Sequence, residues 1–121
     1  METRDLEELK IRVNANPGVS LNHVYIPLID AEPVKTARIA LELAIGTINN
    51  FRKTGTVLVH CGAGWSRSAS AVIGALMDKE FEGMSRPEAY AHVKRIRPGI
   101  CPAPSFMEAL KEIYGEEACL S

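Results

Sequence analysis

Apolar positions along this chain repeat with two different periods. From Pro33 onward, Val34, Ala37, Leu41, Ala44, Ile48 and Phe51 follow one another at alternating steps of three and four. That spacing lays an apolar stripe along one face of a long helix. Pro33 stands where a first-turn proline belongs, and Gly55 provides the stop. Upstream, "TRDLEELK" at residues 3–10 predicts a short helix, with Thr3 as its cap and Leu6 and Leu9 on one face. "IRVNA" then alternates, with Ile11, Val13 and Ala15 on one side. It either prolongs that helix or forms a strand. The period of two, and the turn residues Asn16, Pro17 and Gly18 that follow, favour the strand. "HVYIPL" at residues 23–28 is a second strand. "TVLVH" at residues 56–60 is a third, apolar on both faces as a buried strand would be.

The second half is helical in pattern. "SASAVIGALMDKEF" at residues 68–81 reads as an apolar helix whose small early residues allow close packing. Ser85 with Glu88 forms a capping-box pattern around Pro87, and that helix runs to about Arg97, before Pro98 and Gly99. Ser105 with Glu108 repeats the pattern, the last helix ends near Gly115, and the tail after it is expected to fray. Strands interleaved with helices predict an α/β fold, a central mainly parallel sheet flanked by helices.

Composition changes this picture little. A chain of 121 residues suits one domain, and 46% apolar with 24% charged residues is ordinary for a soluble globular protein. A formal net charge of -1 gives no reason to expect nucleic acid or a membrane surface as partner. No apolar run approaches the ~20 residues of a membrane span, and "METRDLEELK" has no apolar signal core. Cys61, Cys101 and Cys119 are few, odd in number and widely spaced. They predict reduced thiols in the cytoplasm rather than a disulfide framework, and they show no metal-ligand spacing.

The chemistry concentrates in "VHCGAGWSRSAS", residues 59–70. A strand, a tight glycine loop and then a helix make an anion cradle. The backbone N–H groups of Gly62, Ala63, Gly64, Trp65 and Ser66 can turn inward, and the helix N-terminus adds partial positive charge. Phosphate is the natural guest. Cys61 opens the loop, so the groups that welcome a phosphate also favour a thiolate over a thiol of ordinary pKa, ~8.5. Arg67 comes round the loop at the helix start, and its planar fork can take two phosphate oxygens at once. Ser68 can donate a hydrogen bond to the sulfur, and His60 helps hold the thiol ionised. A thiolate in such a cradle attacks phosphorus, and water then hydrolyses the phosphocysteine. The plainer readings are a buried structural thiol at Cys61, a packing role for Trp65, and solvated helix-end cations at Lys94, Arg95 and Arg97.

The string "HCGAGWSRS", preceded by "TVLV" and followed by an apolar helix, resembles the signature of the dual-specificity phosphatases within the cysteine-based protein tyrosine phosphatase superfamily. His60, Cys61, Gly64, Arg67 and Ser68 fill the places of its His-Cys-x-x-Gly-x-x-Arg-Ser/Thr loop. The resemblance implies that superfamily's fold in an N-terminally short form, with the similarity covering about residues 5–114 of a single domain at residues 1–121. It implies a general acid about thirty residues before the nucleophile, where "YIPLIDAEP" places Asp30, which could also cap the helix at Pro33. It further implies a phosphoprotein or phosphopeptide substrate, affinity of the loop for phosphate, vanadate or sulfate, and no cofactor. Two departures stand out. The family's loop asparagine, which props the phosphate loop, is replaced by Ala103 in "CPAPSF". The family's leading strand hairpin has no room before the first matched helix, which would expose an edge of "TVLVH" and implies a homodimer through that edge, a strand exchange or a lost natural start. The runner-up is a phosphate-binding module without turnover.

Overall fold

The computed structural model describes residues 8–14, 22–27, 33–61 and 66–115. Three strands and four helices follow in the order β1 (Glu8–Asn14), β2 (Asn22–Pro27), α1 (Val34–Phe51), β3 (Thr56–His60), α2 (Arg67–Met77), α3 (Arg86–Ile96) and α4 (Pro104–Tyr114). None of these helices is long and apolar enough to cross a membrane.

The sheet order is β2-β1-β3, and both ladders are antiparallel, with Ile11 opposite Val24 on one side and Val59 on the other. This corrects the expectation of a mainly parallel sheet. The helical crossover does carry the chain from β2 to β3 with the two strands pointing the same way. However, β1 lies between them and runs against both, so no parallel pair forms among the described residues. A second correction concerns Glu8, Leu9 and Lys10, which belong to β1 rather than to a helix. Their partners in β2 are Pro27, Ile26 and Tyr25, and cross-strand pairing outweighs the helix preference of glutamate, leucine and lysine. The rest of that expected helix, the turn at Asn16, Pro17 and Gly18, and the C-terminal tail lie outside the described residues.

The core sits where α1, α2 and α4 meet below the sheet. The stripe expected on α1 faces inward: Ala37, Leu41, Ala44 and Ile48 are buried, joined by Ile45. α2 is buried nearly all round, and its small residues let α1 and α4 close on it. α4 contributes Phe106, Ala109 and Leu110, all fully buried.

α2 stops at Met77, short of the expected Phe81. Asp78 is the reason: its carboxylate accepts the Glu80 N–H at 3.0 Å and the Asn49 side-chain amide at 3.1 Å, an Asx-type turn tied to α1. The turn closes at Gly83, whose φ of 61 suits glycine. The capping box on α3 is complete, with Ser85 accepting the Glu88 N–H and Glu88 accepting the Ser85 N–H. On α4 the expected cap at Ser105 is corrected. Ala103 is the N-cap and Pro104 occupies the first turn, as proline prefers.

Candidate active site

The site is assembled from the end of one strand and the start of one helix. The ladder with β1 fixes β3 through His60, which is paired with Lys10, so Cys61 is the first residue beyond the sheet. The residue is 7% exposed. α2 begins at Arg67 with no acidic residue in its first turn, so its partial positive end is not neutralised from within. The helix brings Ser68 back against the sulfur, with Cys61 Sγ 3.5 Å from Ser68 Oγ. In the thiol form the sulfur donates to that hydroxyl; as a thiolate it would accept from it. Arg67 and Ser68 are buried at 5% and 8% exposure, so charge at this junction is shielded from water. The imidazole Nε2 of His60 and the guanidinium Nε of Arg67 are likewise closed off from solvent.

The residues expected to form the site thus divide in two. Cys61, Ser68, Arg67 and His60 gather at the junction of β3 and α2. Asp30 and the loop residues Gly62, Ala63, Gly64 and Trp65 lie outside the described residues. Ser66 is the N-cap of α2, and its carbonyl accepts both the Ser70 N–H at 2.9 Å and the Ser70 hydroxyl at 2.7 Å.

One contact here was not foreseen from sequence. The N–H of Ala103 donates to Ser66 Oγ at 2.8 Å, joining the start of α4 to the residue just before Arg67. The pair is 37 positions apart and one member is an alanine acting through its backbone, so no local pattern marks it. Its only hint in the sequence was Ala103 itself, at the place where the family resemblance leads one to expect an asparagine.

Cys61 and Cys101 are not in disulfides, the first buried and the second exposed. Among the described residues, no group of three or more His, Cys, Asp or Glu side chains could hold a metal ion. The arrangement has the parts of a nucleophilic site: a shielded sulfur, a hydroxyl beside it, a helix N-terminus and an arginine.

Comparison with known proteins agrees with this geometry. The model of the dual specificity phosphatase catalytic domain matches residues 3–116. Dual specificity protein phosphatase 19 of Mus musculus is 52% identical over 59 residues, 49% of this chain and 26% of that protein. Dual specificity protein phosphatase 14 of the same species is 38% identical over 101 residues, 79% of this chain and 50% of that protein. Dual specificity protein phosphatase 1 of Arabidopsis thaliana is 42% identical over 62 residues, 51% of this chain and 30% of that protein. The aligned region thus spans between a quarter and a half of these relatives. With nearly its whole length matched by the family model and a cysteine, serine and arginine gathered at the strand–helix junction, the chain belongs to the dual specificity phosphatase catalytic-domain family of the cysteine-based protein tyrosine phosphatase superfamily.

Proposed function

We propose that this chain is a cysteine-dependent protein phosphatase that hydrolyses phosphomonoesters, phosphotyrosine foremost and phosphoserine or phosphothreonine in addition. The observation that carries the reading is the buried Cys61 sulfur 3.5 Å from the Ser68 hydroxyl, at the N-terminus of a helix that opens with Arg67. The family and the names of its relatives support it.

The Cys61 thiolate attacks phosphorus. The S–P bond forms as the P–O bond to the substrate breaks, and Asp30 gives its proton to the departing oxygen. Water then attacks the phosphocysteine with Asp30 taking its proton, the S–P bond breaks, and the thiolate and inorganic phosphate are regenerated. Arg67 and the amides of residues 62–66 carry the charge on the phosphoryl oxygens. Ser68 donates to the sulfur at rest and again as it leaves, and His60 helps hold the thiol ionised. Cys61 and Cys101 outside any disulfide suit a reducing compartment, which favours the cytoplasm.

A second reading, a phosphate-binding module without turnover, rests on Ala103 replacing the family's propping asparagine. Hydrolysis of para-nitrophenyl phosphate decides between them. Vanadate-sensitive turnover in the wild type, lost in Cys61→Ser while phosphate binding persists, is the expected result; binding with no vanadate-sensitive turnover in the wild type would leave the binding module. Asp30→Ala tests the acid. It should slow aryl phosphates with poor leaving groups by roughly 10²–10⁴-fold and activated esters far less. Equal slowing of both would remove Asp30 from that role.

The same reading includes a homodimer through β3. That strand ends the sheet order β2-β1-β3, and Leu58 on it is 55% exposed. Val57, Leu58 and Val59 read the same in either direction, so an antiparallel pairing of β3 with its copy sets Leu58 against Leu58 and Val57 against Val59.

A further inference from the structure

The hydroxyl of Ser66 is turned away from the helix it precedes. A serine at an N-cap ordinarily accepts a hydrogen bond from the second or third N–H of its own helix. Ser66 is the N-cap of α2 and makes no such bond. Its Oγ accepts the Ala103 N–H at 2.8 Å instead.

Both ends of that bond are held. Ser66 is fixed through its carbonyl by Ser70, which is fully buried. Ala103 is the N-cap of α4, where its carbonyl accepts the Phe106 N–H at 3.0 Å and the Met107 N–H at 3.2 Å. Phe106, in the first turn of α4, is fully buried in the core. The donor is therefore a rigid backbone group rather than a swinging side chain, and the hydroxyl it holds belongs to the residue next to Arg67.

Two effects follow. A serine cap would occupy the N–H of Ser68 or Ala69 and damp the partial positive charge that the start of α2 adds beside the amides of residues 62–66. Drawing the hydroxyl off to Ala103 leaves that charge undamped. The same bond also fixes the direction in which the chain enters Arg67. We propose that Ser66 Oγ and the Ala103 N–H form a positioning pair that keeps the N-terminus of α2 open to a phosphoryl group and sets the bearing of Arg67. The proposal rests on the phosphatase reading for its purpose, but its test does not need turnover.

The test is protection of Cys61 from iodoacetamide by inorganic phosphate, followed across pH, alongside kcat and KM on para-nitrophenyl phosphate. Ala103→Pro suits the backbone, since Ala103 sits at φ -64, but it both removes the donor and sets the proline Cδ where the N–H pointed, against Ser66 Oγ, so it breaks the pair outright. It should weaken phosphate protection at least five- to tenfold, about five- to tenfold being the worth of the lost hydrogen bond alone, and move the alkylation midpoint to higher pH. Ser66→Ala should do the same through the lost tether. Because both act on one bond, Ser66→Ala combined with Ala103→Pro should lose no more than the worse single variant. Ser66→Thr keeps the hydroxyl and should stay within about twofold of wild type.

A double-variant loss equal to the product of the single losses overturns the proposal, as do single variants that leave protection and midpoint unchanged. Should Ala103→Pro fail to fold, Ser66→Ala against Ser66→Thr decides: equal behaviour of the two overturns it. Wild-type protein that shows phosphate-protected Cys61 but no turnover would remove the enzymatic reading and leave the pair intact.

Discussion

Arg52, at the end of α1, grips the turn after α2 from three sides. Its guanidinium pairs with Glu82 in two-pronged fashion, at 3.0 and 2.6 Å, and lies 4.3 Å over the ring of Phe81. It also reaches the Ala75 carbonyl at 3.4 Å. These hydrogen bonds hold the Glu82 carboxyl below its ordinary value of 4.5. Glu88 is held low as well, by its bonds to the backbone and hydroxyl of Ser85. A lowered folded value means that the unfolded chain takes up a proton more readily. The stabilisation is therefore complete above the ordinary value of 4.5 and is lost as pH falls through the folded value. Urea denaturation from about pH 7 down to about pH 3 should show stability falling on the acid side, with a shallower fall in Glu82→Gln than in wild type. Identical slopes would mean that the pair contributes nothing, as many exposed ion pairs do. Tyr114 moves the other way: burial pushes its phenol up to about 12, so it stays neutral throughout that range.

At the scale of elements, two helical glycines should respond to alanine with opposite signs. A Cβ on Gly74 of α2 would meet the side chains of Ile45 on α1, and Leu110 Cδ2 on α4 at 2.9 Å. Both neighbours are buried, so neither can yield freely. Gly74→Ala gains helix propensity of about 1 kcal/mol but overpacks the junction, for a net loss of about 1–2 kcal/mol. A Cβ on Gly46, on the exposed side of α1, meets nothing within 4 Å. Gly46→Ala should stabilise by ~0.5–1 kcal/mol. Thermal unfolding of the two variants checks both signs, and a stabilised Gly74→Ala would refute the close packing of α1, α2 and α4. This contrast was only half legible in the sequence. The stripe on α1 and the capping box of α3 could be read because their partners lie three or four residues apart on one helix. That α2 packs at Gly74 could not, because the side chains it meets come from two other helices. The start of α4 shows how a local pattern misleads: Ser105 and Glu108 have capping-box spacing, but Pro104 before them takes the first turn and moves the cap to Ala103.

For the molecule as a whole, the described residues place β3 at one end of the sheet order β2-β1-β3. The strand carries no lysine or proline to guard it, and beside it lies a cleft of about 240 Å³ lined by Val59, Val72, Leu76, Val93 and Ile96. Ile96 itself is 73% exposed. Leu58→Lys places a charge at the centre of the proposed self-pairing, against its own copy. Light scattering should show a concentration-dependent dimer for the wild type and a monomer for Leu58→Lys, with unchanged circular dichroism. A wild type that stays monomeric at every concentration would end the dimer proposal.

The sequence by itself determined that Cys61, Arg67 and Ser68 come together where one strand ends and one helix begins. Cys61, Arg67 and Ser68 are separated by so few bonds that a strand ending and a helix beginning between them leave little freedom in where they meet. It likewise determined the buried face of α1, since a helical period leaves one way to hide a stripe. Only the tertiary structure decided that β1 lies between β2 and β3, and so made the sheet antiparallel. It alone turned the Ser66 hydroxyl from its own helix to the backbone of Ala103. Both outcomes are contests between hydrogen-bond partners far apart in the chain. Which partner wins depends on where the packed core brings each segment to rest, and no short-range spacing records that.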